Sequence, residues 1–219
     1  MKFNSGLSIA IIAVVFSGLA PAATVTFNAS SQGWVNIPDG MNSNGNYIAG
    51  NCGLVDCQAG EYRNFFGFSI SGISGTITSA ALSLNTFSTS LSQSPNITYQ
   101  LTSLGGTFGF ADLGTGTFYG SRAYSADDSF ELRSIALNQA AMNAIAAASG
   151  GSFFLGGRIS SVVTFGAEEP NQLIFGGSDG PPQLIINYSE GGGPVETPEP
   201  ASILLVATGL LGVAARSRR

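Results

Sequence analysis

Two cysteines stand close together in Asn51-Cys52-Gly53-Leu54-Val55-Asp56-Cys57, and the 219-residue chain has no others. An even pair at this spacing reads as a disulfide closing a tight loop, provided the chain leaves the reducing cytoplasm. A loop that short adds on the order of 2–3 kcal/mol. The alternative is a two-thiolate metal half-site, but histidine is absent and no third cysteine exists to complete it. The carboxylates that fall near one another are Asp127-Asp128 with Glu131, the pair Glu168-Glu169, and Asp39 and Asp56. Loop carboxylates and carbonyls are the donors calcium takes, so a structural calcium is the one cofactor these positions suggest. The competing expectation is plain solvated turn acids. Glycoside hydrolysis needs two carboxylates facing one cleft, and nothing in the spacing arranges that.

Other catalytic classes fall away on composition. Without histidine the commonest general base is missing, and serine has no partner for a Gly-x-Ser-x-Gly elbow. The stretch Leu104-Gly105-Gly106-Thr107 lacks the lysine of a phosphate-cradling loop. Trp34, between Gly33 and Asn36 in a Gly/Asn-rich region, is the candidate for an exposed ring on which a sugar stacks. Tyr47, Tyr62, Tyr119 and Tyr124 are the other polar-tipped aromatics, and packing of these rings into the fold is the competing expectation. The site residues are thus expected to be non-catalytic, with no metal set.

Eight basic residues face 13 acids, a net charge of −5, and only 10% of residues are charged, against about 25% in an ordinary soluble domain. Within residues 23–197 the balance is four arginines, no lysine and twelve acids, a net −8. That excludes a basic nucleic-acid binder and disfavours anionic lipid headgroups. A divalent cation or a neutral glycan is the easier partner. With 44% apolar residues and 15 Phe the chain can bury a core, so it is no disordered linker, and its length predicts one domain.

The ends carry the most specific patterns. Met1-Lys2-Phe3 precedes an apolar run over 7–19, and Ala20-Pro21-Ala22-Ala23 follows. One positive charge, a short apolar segment and small residues at the −3 and −1 positions define a secretory signal peptide over 1–22, cut after Ala22 by signal peptidase. At the other end, the Gly/Pro-rich stretch 191–197 reads as a flexible linker. Pro198-Glu199-Pro200 follows, then an uncharged apolar run over 201–215, then Arg216-Ser217-Arg218-Arg219. That run can form a helix of about 22 Å at 1.5 Å per residue, short for a hydrocarbon core of about 30 Å. Arg216, Arg218 and Arg219 act as a cytoplasmic basic stop under the positive-inside rule.

This order of Pro-Glu-Pro, apolar helix and arginine cluster resembles the PEP-CTERM sorting tail, with 195–200 matching its V-x-x-P-E-P opening. The resemblance implies recognition by a membrane transpeptidase of the exosortase type, which cuts near Pro198, Glu199 and Pro200. It implies a protein anchored transiently in the inner membrane by the apolar helix of the 198–219 tail, then released to the envelope or outside. The host implied is an exopolysaccharide-producing bacterium, with extracellular polysaccharide a candidate partner.

The body, 23–190, alternates like strands. Phe66, Phe68 and Ile70 alternate with small residues, as do Ala80, Leu82 and Leu84, and Ile97, Tyr99 and Leu101. Further runs lie at 153–155, 162–165, 173–175 and 184–188. Ile77 is out of phase with Ala80, which predicts a bulge. Asn138 to Ala148 is the exception: Ala141, Ile145 and Ala148 share a stripe beside Met142, Asn138 can cap the start and Gly150 can end it. About eight to ten strands with one short helix predict an all-β, two-layer, jelly-roll-like sandwich. The grammar of 65–84, Thr-Ile-x-x-Ala-x-Leu-x-Leu after a small-residue crossover, resembles the DNRLRE jelly rolls, relatives of carbohydrate-binding modules. Phe175-Gly176-Gly177-Ser178 and the run 181–188 resemble that family's last strand. The expected function is a non-enzymatic, envelope or matrix-associated β-sandwich, with a glycan-binding module as the alternative.

Overall fold

Alternation that buries every second side chain builds two antiparallel sheets. The computed structural model describes residues 22–37, 40–43, 45–53, 58–86, 89–91, 96–161, 172–175 and 180–190. The strands are β1 (Ala22–Asn28), β2 (Ser31–Asn36), β3 (Gly40–Asn42), β4 (Ala49–Cys52), β5 (Gly60–Ser69), β6 (Gly75–Thr86), β7 (Thr89–Leu91), β8 (Ile97–Ser103), β9 (Phe118–Tyr124), β10 (Glu131–Leu137), β11 (Ser152–Ile159), β12 (Gln172–Ile174) and β13 (Gln183–Glu190). The smaller sheet runs β1-β13-β6-β10. The larger runs β7-β12-β4-β5-β11-β8-β9, with β2 also pairing β5 and β3 pairing β2. The two sheets enclose Phe66, Phe68, Leu82, Leu84, Leu101, Leu155, Leu184 and Ile186, all without solvent exposure. The expected all-β sandwich is therefore the architecture.

The strand count exceeds the expected eight to ten. β3, β7 and β12 have three residues each, too few to show a period. β1, β9 and β10 alternate through Thr, Ser, Ala and Arg as much as through large apolar residues. The expected strand at 162–165 lies outside the described residues. The bulge is present: Asn187 faces Ser79 while Tyr188 faces Ile77, so Thr78 is the extra residue. It lets Ile77 and Ala80 both turn inward, with Thr78 and Ser79 exposed between them.

The helix α1 (Gln139–Ala147) forms where expected. Asn138 accepts the Ala141 amide at its start, and Gly150 follows its end at φ +82°. Ala141 and Ile145 are buried and Met142 and Ala148 pack against the core, so the helix lies against β6 and β9.

Two buried features set the interior. Asn64, unexposed on β5, donates to the Tyr47 carbonyl at 2.8 Å and accepts from the Tyr99 hydroxyl at 2.6 Å. Opposite it, Gly157 leaves the room both groups need: a Cβ there would stand 1.9 Å from the Tyr99 oxygen and 2.2 Å from Asn64 Oδ1. On the outer face of the larger sheet, Leu104 and Leu113, with Phe108 and Phe110, fold back onto Val35, Phe65 and Phe154. Arg63 fastens that loop, donating to the Phe110 and Leu113 carbonyls at 3.0 Å each while pairing with Glu61.

Candidate functional site

The described body begins and ends at one pole. In the β1–β13 pair Ala22 faces Ser189 and Asn28 faces Gln183. The strand that follows the expected signal-peptide cut and the strand that leads into the linker are therefore neighbours, and their outer ends coincide. Pro198, Glu199, Pro200, Arg216, Arg218 and Arg219, like residues 1–21, lie outside the described residues. Among the described residues no helix is long and apolar enough to cross a membrane.

Trp34, the candidate for an exposed sugar platform, follows the competing packing expectation instead. It lies in β2, is 9% exposed, and sits in a small cluster with Cys52 and Tyr62, its ring 5.0 Å from that of Tyr62. Gly33 misled the sequence reading: it stands in a strand because a Cβ there would lie 2.2 Å from the Asn42 carbonyl oxygen and 2.7 Å from the Phe65 ring. The tyrosines follow the packing expectation. Tyr47, Tyr62, Tyr119 and Tyr124 are all buried, and Tyr47 and Tyr124 close around Phe175 at 5.5 and 5.3 Å. Burial pushes the Tyr124 phenol well up, and burial with Tyr124 beside it pushes Tyr99 up despite the bond to Asn64. Cys52 is buried at the end of β4, and Cys57 lies outside the described residues.

The acids divide in the same way. Asp39, Asp56, Glu168 and Glu169 lie outside the described residues. Asp127 and Glu131 are exposed, but Asp128 is 7% exposed. It accepts the Ser125 amide at 2.9 Å and is bracketed by the Arg122 and Arg133 guanidinium groups. Burial alone would raise its pKa. The Ser125 amide and the two arginines outweigh that and hold the carboxyl below its ordinary range. Its oxygens are committed to structure. Among the described residues no three His, Cys, Asp or Glu side chains converge on a metal position.

One concave feature was invisible in the linear order. Residues 29–32, with Ser43, Gly45 and Pro181, line an open cleft of about 440 Å³. It lies where β1 hands over to β2 and where the chain enters β13, at the pole opposite Ala22 and Glu190. Its walls are tied: the Ala29 amide donates to the Pro182 carbonyl and the Ser30 amide to the Gly67 carbonyl, both at 2.8 Å, and Gln32 Nε2 donates to the Gly45 carbonyl.

Fold and ends together define a β-sandwich whose two chain exits share one pole. Residues 196–219 match the PEP-CTERM protein-sorting motif. That motif implies processing by exosortase and export to the envelope. The matched range stops short of the body, so the resemblance of 65–188 to DNRLRE and carbohydrate-binding jelly rolls stays a likeness of pattern. A comparison with curated proteins returns no match.

Proposed function

We propose that this chain is an exported, non-enzymatic β-sandwich of the cell envelope or matrix. In this reading signal peptidase removes 1–22. The apolar helix of the 198–219 tail holds the body at the inner membrane, and an exosortase-type transpeptidase cuts near Pro198, Glu199 and Pro200. The observation that carries it is the sorting motif at 196–219, attached to a body whose first described strand starts at Ala22. The absence of histidine from the chain and the engagement of Asp128 by two arginines support a structural rather than a catalytic body. The role in an extracellular polysaccharide matrix rests on the resemblance of the tail and on the acidic, lysine-free body.

The test is fractionation of the host carrying the triple variant Pro198→Ala, Glu199→Ala, Pro200→Ala. The expected result is accumulation of uncut protein in the inner membrane, where the parent chain is found processed. A triple variant processed and distributed like the parent would refute the sorting role.

A further inference from the structure

We propose that the cleft lined by Ser30, Ser31, Gln32 and Ser43 is a binding site for an uncharged polyhydroxylated ligand, a segment of neutral glycan. The proposal rests on the export reading above for its biological setting and on the cleft itself for its chemistry. At about 440 Å³ the cleft falls within the range of roughly 300–1,000 Å³ typical of small-molecule sites. Among the described residues none that lines it is charged, although residues 23–197 carry a net −8. A charged ligand entering here would lose hydration with no opposite charge to replace it. Sugar hydroxyls meet no such cost, because the Ser31 and Ser43 hydroxyls and the Gln32 carboxamide offer both donor and acceptor character and the Ser30 oxygen, its proton given to Gly67, still accepts.

The cleft is also prepared in advance. Ser30 holds Gly67 through both its amide and its hydroxyl, the latter donating at 3.0 Å. Gly67 gives Ser31 its place, since a Cβ there would stand 2.4 Å from the Ser31 oxygen. The Gln32–Gly45 bond spans from β2 to the segment after β3. Walls fixed before the ligand arrives lower the ordering cost of binding.

Its position supplies the rest of the argument. The chain leaves the body at Glu190, and six residue steps of β1 separate that pole from the cleft, or about 20 Å at 3.4 Å per residue. A body held by its C-terminal tail presents this cleft away from the point of attachment, toward the medium. A site at the other pole would face the surface that holds the protein.

The experiment uses the unprocessed full chain in a zwitterionic detergent free of sugar headgroups, so that a failure of sorting does not affect its outcome. Saturation-transfer NMR is run with neutral trisaccharides of glucose, mannose, galactose and N-acetylglucosamine, and with trigalacturonate as the anionic comparison. At least one neutral trisaccharide is expected to bind saturably and trigalacturonate not to compete. Ser43→Phe, at an exposed position that fills the cleft, is expected to weaken that binding by about tenfold or more with the melting temperature unchanged. Gln32→Glu, which places a charge in the wall, is expected to weaken it as well. No transfer to any neutral trisaccharide, equal competition by trigalacturonate, or binding unaffected by both substitutions would overturn the assignment.

Discussion

Ala22 faces Ser189 across the β1–β13 pair, so the strand that opens the body and the strand that closes it end side by side. A cut after Ala22 leaves Ala23 facing Tyr188 and costs β1 only its first pairing. Val25 and Phe27, which turn from β1 onto the core, are untouched by that cut. The linker 191–197 then begins at the same pole, and its seven residues reach at most about 25 Å when extended. If the tail holds the body at a membrane as proposed, this arrangement leaves the opposite pole of the sandwich farthest from the point of attachment.

The Cys52–Cys57 bridge is expected in the exported chain. Alkylation of the denatured, unreduced protein should label neither cysteine, and alkylation after reduction should label both. Loss of the bridge, by retention in the cytoplasm or by Cys52→Ala with Cys57→Ala, should cost about 2–3 kcal/mol of stability. Two thiols labelled before reduction would remove the bridge from the account.

Asp128 makes the fold acid-sensitive with a definite sign. Its carboxyl titrates lower in the folded chain than in the unfolded one, where an aspartate titrates near about 3.9. Its contribution is therefore complete above about pH 4 and is lost as the pH falls through the folded value. Asp128→Asn should lower stability at neutral pH by about 2 kcal/mol and flatten the acid limb of a denaturation series. An acid limb identical to the parent's would contradict this.

Gly157 and Gly105 give a paired test of the interior. A methyl group at Gly157 collides with the Tyr99 hydroxyl and Asn64, whereas at Gly105 nothing lies within 4 Å. Gly157→Ala should destabilise by about 2–3 kcal/mol as an overpacked core site, and Gly105→Ala by no more than about 0.5 kcal/mol. Equal effects, measured by denaturant unfolding, would show that the Asn64–Tyr99–Tyr47 arrangement does not set the packing.

The alkaline limb has the opposite sign. The Tyr99 and Tyr124 phenols titrate higher in the folded chain because burial disfavours their charged forms. The stability tied to keeping them neutral is full below about pH 10, the unfolded value, and is lost as the pH climbs beyond it. Phenolate absorbance from these two should therefore rise together with unfolding. Complete ionisation of all six tyrosines in a chain still folded would contradict the burial described here.

Much of this structure is legible where one physical rule acts alone. Alternation placed Phe66, Leu82 and Leu101 inward, the phase slip at Ile77 announced the bulge at Thr78, and Asn138 announced α1. The sorting tail is legible because its parts are contiguous. Reading failed where two rules compete or distant segments converge. Gly33 and Asn36 look like loop residues, yet Gly33 sits in a strand because the Asn42 carbonyl and Phe65 press against it, and so Trp34 is buried. Asp128 looks like a turn acid until β9 and β10 bring Arg122 and Arg133 to it. The cleft needs residues 29–32, Ser43 and Pro181 at one pole, and only the β1–β13 and β2–β3 pairings put them there.

The central claim is that both ends of this chain are processed during export, and intact mass of the protein recovered from its native host tests it most directly. Membrane, envelope and culture-medium fractions are compared. The account predicts a mature form that begins at Ala23 and ends close to Thr197–Pro200. A protein that retains Arg219 in every fraction would make the tail a plain anchor and contradict the account.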